Sequence, residues 1–178
     1  MNNLLKSCSF LVLIALFSTA CGAPATRPES AQGEETTRDL YQIVLGKSLS
    51  DTQVADFLAA NNCHTASPFQ ICKEIGMALW VNSMQVIETV YLYLNKVDGF
   101  TPYKGQLPYG LKFYDIMGAV EYKLKKQGVG NNGLPDEGST PDHLHYWATY
   151  QEAGMTIIYN SPSAIDEDAT IYAILLSG

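Results

Sequence analysis

The chain lacks the short motifs by which most enzyme chemistry is recognised. It has no Gly-x-Ser-x-Gly elbow, no His-Glu-x-x-His, no phosphate-cradling glycine loop and no EF-hand spacing. Hydrolysis needs a nucleophile held beside a base, and no stretch of this sequence places one. Positive charge is also scarce: 11 Lys and Arg stand against 18 Asp and Glu, a formal net charge of −7 in 178 residues. A chain so balanced will not track a phosphate backbone, so no nucleic-acid partner is expected. No polybasic stretch offers a grip on anionic lipid. There are four cysteines and no Cys-x-x-Cys pair. The apolar run from Phe10 to Phe17 is too short to span a bilayer stably.

What the N-terminus does have is the shape of an export signal. Met1 to Ala20 carries Lys6, then that apolar run, then the small residues Ser18-Thr19-Ala20 before Cys21. The junction resembles a bacterial lipobox, in which the Cys becomes lipidated after cleavage. Ser18 stands where that motif prefers an aliphatic residue, and ordinary secretory cleavage is the alternative. Gly22 in place of Asp after the Cys implies, under the resemblance, no inner-membrane retention signal. An outer-membrane or periplasmic envelope location is then expected. Cys8 leaves with residues 1–20 and Cys21 takes the lipid. Cys63 and Cys72 remain, an even pair that an oxidising compartment would close into a small loop. The alternative is two reduced thiols. A metal site is less favoured, because only His64 lies nearby. Residues 22–37 have no apolar periodicity and read, with Cys21, as a lipidated tether over 21–37, reaching roughly 50 Å at about 3.3 Å per residue. Without Lys6, ten Lys and Arg face eighteen Asp and Glu, about −8. Membrane contact is therefore expected through the lipid alone. Acidity suits a basic protein partner through steering, although plain solubility also explains it.

One phrase occurs twice. Gly76-Met77-Ala78-Leu79-Trp80-Val81-Asn82 and Gly154-Met155-Thr156-Ile157-Ile158-Tyr159-Asn160 share a Gly-Met start and an Asn end, 78 residues apart. An internal repeat constrains the whole fold. A second echo follows, Thr89-Val90-Tyr91 and Thr170-Ile171-Tyr172, at an offset of 81. Helical spacing appears at Leu40, Ile43 and Val44, with Thr36 or Thr37 as cap. It appears again at Val54, Phe57 and Leu58 after Ser50-Asp51-Thr52. A third helix carries Ala119, Val120 and Leu124, with Asp115 as cap. Lys123, Lys125 and Lys126 complement its dipole, and Gly128 ends it. Strand-like runs are expected at 76–82, 86–94, 145–150, 154–160 and 169–176. The extra residues of the second copy fall in Gly128–Asp142, read as a loop, and three more fall in the turn Asn160–Asp168. The expected fold is α+β: two tandem helix-plus-antiparallel-meander repeats with helices packed on one face of a joined sheet. Repeat 1 spans 38–98, a linker 99–110 and repeat 2 111–178, the repeats forming one domain.

A helix with Val and Leu four apart, followed by a Trp- or Tyr-bearing strand and two more strands, resembles the BamE-like bacterial lipoproteins. It also resembles the tandem-repeat fold of β-lactamase-inhibitory protein. The likeness covers 110–178 better than 40–95. Leu111-Lys112-Phe113-Tyr114-Asp115 lacks the Gly-Met start usual in the BamE-like pattern. The resemblance implies binding proteins rather than enzymes: assembly factors of the envelope, or inhibitors that lay a sheet on a target.

Eleven Tyr and two Trp are the main functional lead, because their apolar bodies and polar tips suit protein interfaces. On 86–94, Thr89, Tyr91 and Tyr93 alternate with Val90, Leu92 and Leu94, so the Tyr face is expected to be open. Tyr91 and Tyr172 recur in both copies and read as structural. Tyr93, Trp147, Asp136, Glu137 and Asp142 belong to one copy and are the candidate partner-binding residues. Asp142-His143-Leu144-His145 is the rival site. Two imidazoles at i, i+2 on a strand would point together toward a metal and support a metal-dependent enzyme. A solvated strand entry is the plainer reading. Asp166-Glu167-Asp168 reads as a charged turn tip. No cofactor is expected. The expected role is a non-catalytic envelope lipoprotein that binds a protein, as an inhibitor or immunity protein or as an assembly accessory.

Overall fold

The computed structural model describes residues 39–94, 99–130, 136–164 and 166–178. The expected signal peptide, Cys21, the tether and the Thr36/Thr37 cap fall outside these residues. Thr36–Gly178 form one compact unit. The described residues are α+β, with helices α1 (Thr52–Ala60) and α2 (Met117–Lys126). The first four strands are β1 (His64–Ala66), β2 (Phe69–Cys72), β3 (Met77–Val81) and β4 (Ile87–Tyr93). The other four are β5 (Asp136–Ser139), β6 (Tyr146–Tyr150), β7 (Met155–Tyr159) and β8 (Ile171–Ser177). All eight join one antiparallel sheet in the order β1-β2-β3-β4-β8-β7-β6-β5. No helix among the described residues is long and apolar enough to cross a membrane.

Helix α1 starts as its sequence dictates. The Asp51 carboxylate accepts the Gln53 N–H at 2.8 Å, one of the amides that a helix start leaves unpaired. Val54 and Phe57 are buried on one face, and Asn61 ends the helix. The segment with Leu40, Ile43 and Val44 does not form the expected helix. It is a single 3-10 turn, Leu40–Ile43, with Tyr41 as its buried residue. Gly46, at φ +74°, turns the chain so that its N–H reaches the Ile87 carbonyl at 2.8 Å. Helix α2 starts one residue later than expected. Ile116 is its N-cap, is extended, and bridges to Thr170. Asp115 therefore does not cap it. Its buried carboxylate accepts the Lys112 N–H at 2.7 Å and pairs with Lys123 at 2.6 Å. Lys123 thus serves an ion pair rather than the helix dipole, and Gly128 at φ +81° turns the chain after α2.

The repeated phrase has a physical explanation. Each copy begins at a glycine that ends a 3-10 turn in the left-handed conformation, Gly76 at φ +70° and Gly154 at φ +55°. A side chain there would meet the backbone of Thr101 and Tyr103 in the first case, and the Ser177 carbonyl in the second. The glycine carbonyls accept the N–H of Tyr93 and of Ser177 at 2.9 and 2.7 Å. Each copy ends on an asparagine whose N–H opens the next turn, Asn82 to Val86 and Asn160 to Thr170, both at 2.9 Å. A register shift precedes both asparagines, between Trp80 and Val81 and between Ile158 and Tyr159.

These registers correct the second echo. Val81 pairs with Ile87 and Tyr159 with Ile171, so positions in β4 answer positions in β8 at an offset of 84, not 81. Thr89 lies opposite Trp80, whereas Thr170 precedes β8 and faces Ile116. Tyr91 pairs with Leu175, and Tyr172 sits at the register shift. Asparagine turns and bulges set hairpin register, and the shared Thr-φ-Tyr letters do not. The second turn is accordingly six residues longer than the first, 160–170 against 82–86, and not three.

Two stretches read as loops contain strands. Residues 64–72 form the β1–β2 hairpin, and β5 lies within the Gly128–Asp142 stretch. Strands β1 and β5 are short edge strands without apolar alternation, and β2 has only four residues, too few for a clear sequence signal. The sulfurs of Cys63 and Cys72 stand at disulfide distance with Cα atoms 4.3 Å apart, closing the β1–β2 hairpin at its base. The core lies against one sheet face, where Met77, Leu79, Val90, Leu92, Ile157 and Ile174 are at 0 % exposure. They belong to one core cluster with Val54 and Phe57 of α1 and Val120 and Leu124 of α2. Each such side chain contributes about 1.5–3 kcal/mol of burial free energy.

Candidate functional site

Pleating sends alternate residues of every strand to the opposite face. On that face one row runs Ile71, Ala78, Tyr91, Leu175, Thr156 and Thr149, from β2 across to β6. The row on one side of it runs Phe69, Trp80, Thr89 and Ser177. The row on the other side runs Tyr93, Ala173, Ile158 and Trp147. None of these positions on the six inner strands carries a charge, in a chain with a net charge of −7. Both tryptophans are among them, and both are half-buried.

The aromatic rings are locally braced. Phe69 and Tyr91 meet edge to face at 5.8 Å between centroids, from the strands flanking β3, and Ala78 on β3 is only 2 % exposed. Tyr93 packs on Phe100 at 4.4 Å, with the Lys73 ammonium 5.6 Å from the Phe100 ring. Trp147 lies against Gly138 so closely that a Cβ there would come within 2.8 Å of the indole. Glycine on this edge strand leaves room for the tryptophan. His145 stacks on Tyr172 at 4.1 Å. Aromatic pairs of this kind add about 0.5–1.5 kcal/mol beyond the area they bury.

The sequence-selected residues divide. Tyr93 and Trp147 share a face and a row, and Tyr146, beside Trp147, points into the core at 6 % exposure. The alternation read for β4 is present, with Val90 and Leu92 buried and Tyr91 and Tyr93 half-buried. Asp136 pairs in register with Thr149. Glu137 pairs with Ala148 on the buried side, where it accepts a hydrogen bond from the Tyr146 hydroxyl. It therefore lies on the opposite face from Trp147, because neighbours on a strand alternate. Asp142 is exposed and organises the turn before β6. Its carboxylate accepts from the Thr140 hydroxyl at 2.5 Å and the Leu144 N–H at 3.0 Å, and those two hydrogen bonds lower its pKa.

His143 and His145 are not on a strand. His143 is exposed at φ +57°, and His145 is half-buried against Tyr172. The parallel imidazoles expected at i, i+2 do not arise, because the turn at 140–145 takes the chain out of the extended conformation. Among the described residues no three His, Cys, Asp or Glu side chains are grouped to hold a metal. Asp166, Glu167 and Asp168 are exposed in a turn closed by Ala169 N–H on the Asp166 carbonyl at 2.9 Å.

Sequence reading missed Phe69, Trp80 and Phe100 as members of this face. Trp80 was legible, since it alternates with Leu79 and Val81. Phe69 was hidden inside a stretch read as a disulfide loop. The buried tyrosines Tyr146, Tyr150 and Tyr159 form a second aromatic group, with the first and last rings stacked at 6.0 Å. Burial raises the pKa of all three, and the Glu137 hydrogen bond raises Tyr146 further. The Tyr159 hydroxyl, beside Tyr150, has no partner of hydrogen-bonding geometry. Protonated phenols inside a core are structural groups rather than general bases. In comparison with known proteins, the chain matches no family model, no curated protein and no solved structure.

Proposed function

We propose that this chain is a non-catalytic lipoprotein of a bacterial envelope, tethered through Cys21, that binds another protein on its uncharged sheet face. The observation that carries the reading is that face: two tryptophans, three further aromatic rings and no charge in its three rows, with Glu88, exposed at the β4 register shift, as the one charged residue of the six strands. Large amphipathic rings on a rigid scaffold bury much area at small entropic cost, which is how interface anchors work. An acidic body steers a basic partner toward it. In its most concrete form the protein neutralises a basic effector, as an inhibitor or immunity protein, in keeping with its resemblance to BamE-like and β-lactamase-inhibitory proteins.

The architectural part of the proposal is that residues 38–98 and 111–178 are tandem copies, each a helix followed by a four-strand meander, with both helices on one sheet face. It is supported by the paired left-handed glycines, the matched asparagine bonds, the two register shifts and the two bridges Ser48–Val86 and Ile116–Thr170. On the 78-residue offset Phe69 answers Trp147, so an aromatic ring stands at this position of both copies.

Two measurements test the reading. Cys21→Ser should move the protein from the membrane fraction to the soluble fraction, and unchanged retention counts against lipidation. Trp80→Ala with Trp147→Ala should weaken partner association at least 100-fold while leaving the fold intact, since anchor truncations cost about 2 kcal/mol or more each. If instead a His143→Ala/His145→Ala variant loses a measurable activity with the fold intact, the non-catalytic reading is wrong.

A further inference from the structure

Helix α2 turns Val120 and Leu124 to the core. On another side of it Ala119, Tyr122, Lys123 and Lys126 recur at i, i+3, i+4 and i+7, so they share one face. With Tyr109, Gly110 and Gln127 they line a hollow of about 520 Å³. A second hollow, of about 440 Å³, lies beside Leu111, Lys112, Phe113 and Tyr114, and Gly110 is common to both. No carboxylate lines either hollow, in a chain with a net charge of −7. The two carboxylates of this segment are engaged elsewhere. Asp115 pairs with Lys123 at 2.6 Å, and the charge of Glu121 acts on Tyr146, Tyr150 and Tyr159. Each hollow instead sets one exposed tyrosine beside one exposed lysine: Tyr122 (69 %) with Lys126, and Tyr114 (76 %) with Lys112.

The wall between the hollows is held in a strained form. Tyr109 stands at φ +56° and Gly110 at φ +66°. Glycine takes that conformation freely, and tyrosine does not. Side chains of the α2 segment fix the turn: Gln127 Nε2 donates to the Tyr109 carbonyl at 2.8 Å, and Lys123 Nζ to the Gly110 carbonyl at 3.2 Å. Strain of this kind gathers where ligands are clamped. The lining also selects the occupant. Its ammonium groups favour an acidic ligand, and a bare anion would make no use of the rings. Tyrosine offers a flat apolar face and a hydroxyl, and Gln127 keeps its amide oxygen as an acceptor. Both carbonyls of the wall already accept from these side chains, so an extended peptide gains little backbone pairing there. A sugar needs none. Its C–H face rests on an aromatic ring, and its hydroxyls and acid group reach side chains. A tyrosine and a lysine on each side of Gly110 suit a ligand that repeats.

We propose that the two hollows flanking Gly110 bind an acidic saccharide, one unit on Tyr122 with its acid group at Lys126, and the next at Tyr114 and Lys112. The site is separate from the aromatic sheet face and does not rest on the protein-binding reading.

An array of oligosaccharides bearing carboxylate, sulfate or phosphate groups, each beside its uncharged counterpart, tests it on the purified full chain. The expected result is retention of at least one acidic oligosaccharide about tenfold or more above its counterpart. Calorimetric titration of that oligosaccharide should show about tenfold weaker binding in Lys126→Gln and in Tyr122→Ala. Binding should be unchanged in Lys125→Gln, which is exposed on α2 and lines neither hollow. All three side chains are exposed, so melting temperatures should hold. Displacement by equimolar inorganic phosphate means a simple anion site and overturns the saccharide. Binding of phosphatidylglycerol vesicles with no acidic oligosaccharide retained overturns it in favour of a membrane surface. Equal retention of acidic and uncharged forms overturns it too, as does binding indifferent to both Lys126→Gln and Tyr122→Ala, or an array that retains nothing.

Discussion

Residues 39–94 and 111–178 each supply four strands and one helix, yet they are built with different chemistry. In the first half the buried ends of β2 and β3 are Cys72 and Val81, with a covalent link back to Cys63. In the second half the ends of β6 and β7 are the buried Tyr150 and Tyr159, with Tyr146 beside them and no cross-link. One half is stapled and aliphatic. The other has a longer turn between its last two strands and depends on bulky phenols to fill its space. Each half should therefore fail under a different stress.

The largest expected difference lies at the shared glycines. Gly76→Ala should cost roughly 3 kcal/mol, since it adds strain at a positive φ to a clash with two backbone groups. Gly154→Ala meets a single carbonyl, that of the exposed Ser177, and should cost roughly 1–2 kcal/mol. Gly46→Ala, at φ +74° with nothing within 4 Å, isolates the conformational part at about 1 kcal/mol. Urea denaturation measures all three. Equal losses at Gly76 and Gly154 would mean that the segment around Thr101 yields as easily as Ser177.

Next in size is the disulfide. Converting both Cys63 and Cys72 to Ser should cost roughly 2–3 kcal/mol by the loop-entropy argument. Hydrogen exchange should rise first in β1 and β2, with β6 and β7 unaffected. Exchange that rises uniformly would show that the halves do not open separately.

Alkali should act on the other half. The phenols of Tyr146, Tyr150 and Tyr159 are raised above their ordinary value by burial. Unfolding returns them to about 10, so they favour the folded state fully below pH 10, and that contribution is lost as pH rises further. Tyrosinate absorbance at 295 nm should lag behind the exposed tyrosines and then rise together with loss of secondary structure. Smooth titration of every tyrosine near pH 10, with the fold retained, would contradict the buried group.

The smallest effects discriminate between two phenols in one cluster. Tyr146→Phe removes a hydrogen bond to Glu137 and should cost about 1 kcal/mol. Tyr159→Phe removes a hydroxyl that lies beside the Tyr150 hydroxyl without a well-formed hydrogen bond, so it should cost clearly less than Tyr146→Phe, roughly half a kcal/mol or less. Thermal melts of the two variants should shift by clearly different amounts.

The elements legible in the sequence were those with strong local signals. Strands β3, β4, β6, β7 and β8 fell within two residues of their expected bounds, because β-branched and aromatic alternation marks them. The stretch Ser50-Asp51-Thr52 was legible as a cap from its short polar side chains, and Asp51 is the member that accepts the Gln53 N–H. Asp115 looked the same and was not a cap, because the Ile116–Thr170 bridge, a long-range contact, shifts the helix start. The edge strands β1 and β5 were invisible for a related reason: pairing with β2 and β6 makes them strands, and their own composition does not. The candidate face was half legible. Tyr93 and Trp147 could be picked out singly, but sharing a row depends on β8 entering between β4 and β7. No local pattern encodes that order.

Strand β8 follows the other seven in chain order but lies between β4 and β7. When a ribosome has delivered residues 39–164, both outer parts of the sheet exist and nothing joins them. Each presents an unpaired inner edge. Assembly must wait for β8 to arrive and bind both edges at once, so contacts far apart in sequence form late and together. The nascent chain is thus held open by topology alone. A stop or a proteolytic cut within 171–177 would do more than trim a terminus: it would remove the strand that holds the two sides together, leaving two exposed edges primed to pair with other chains.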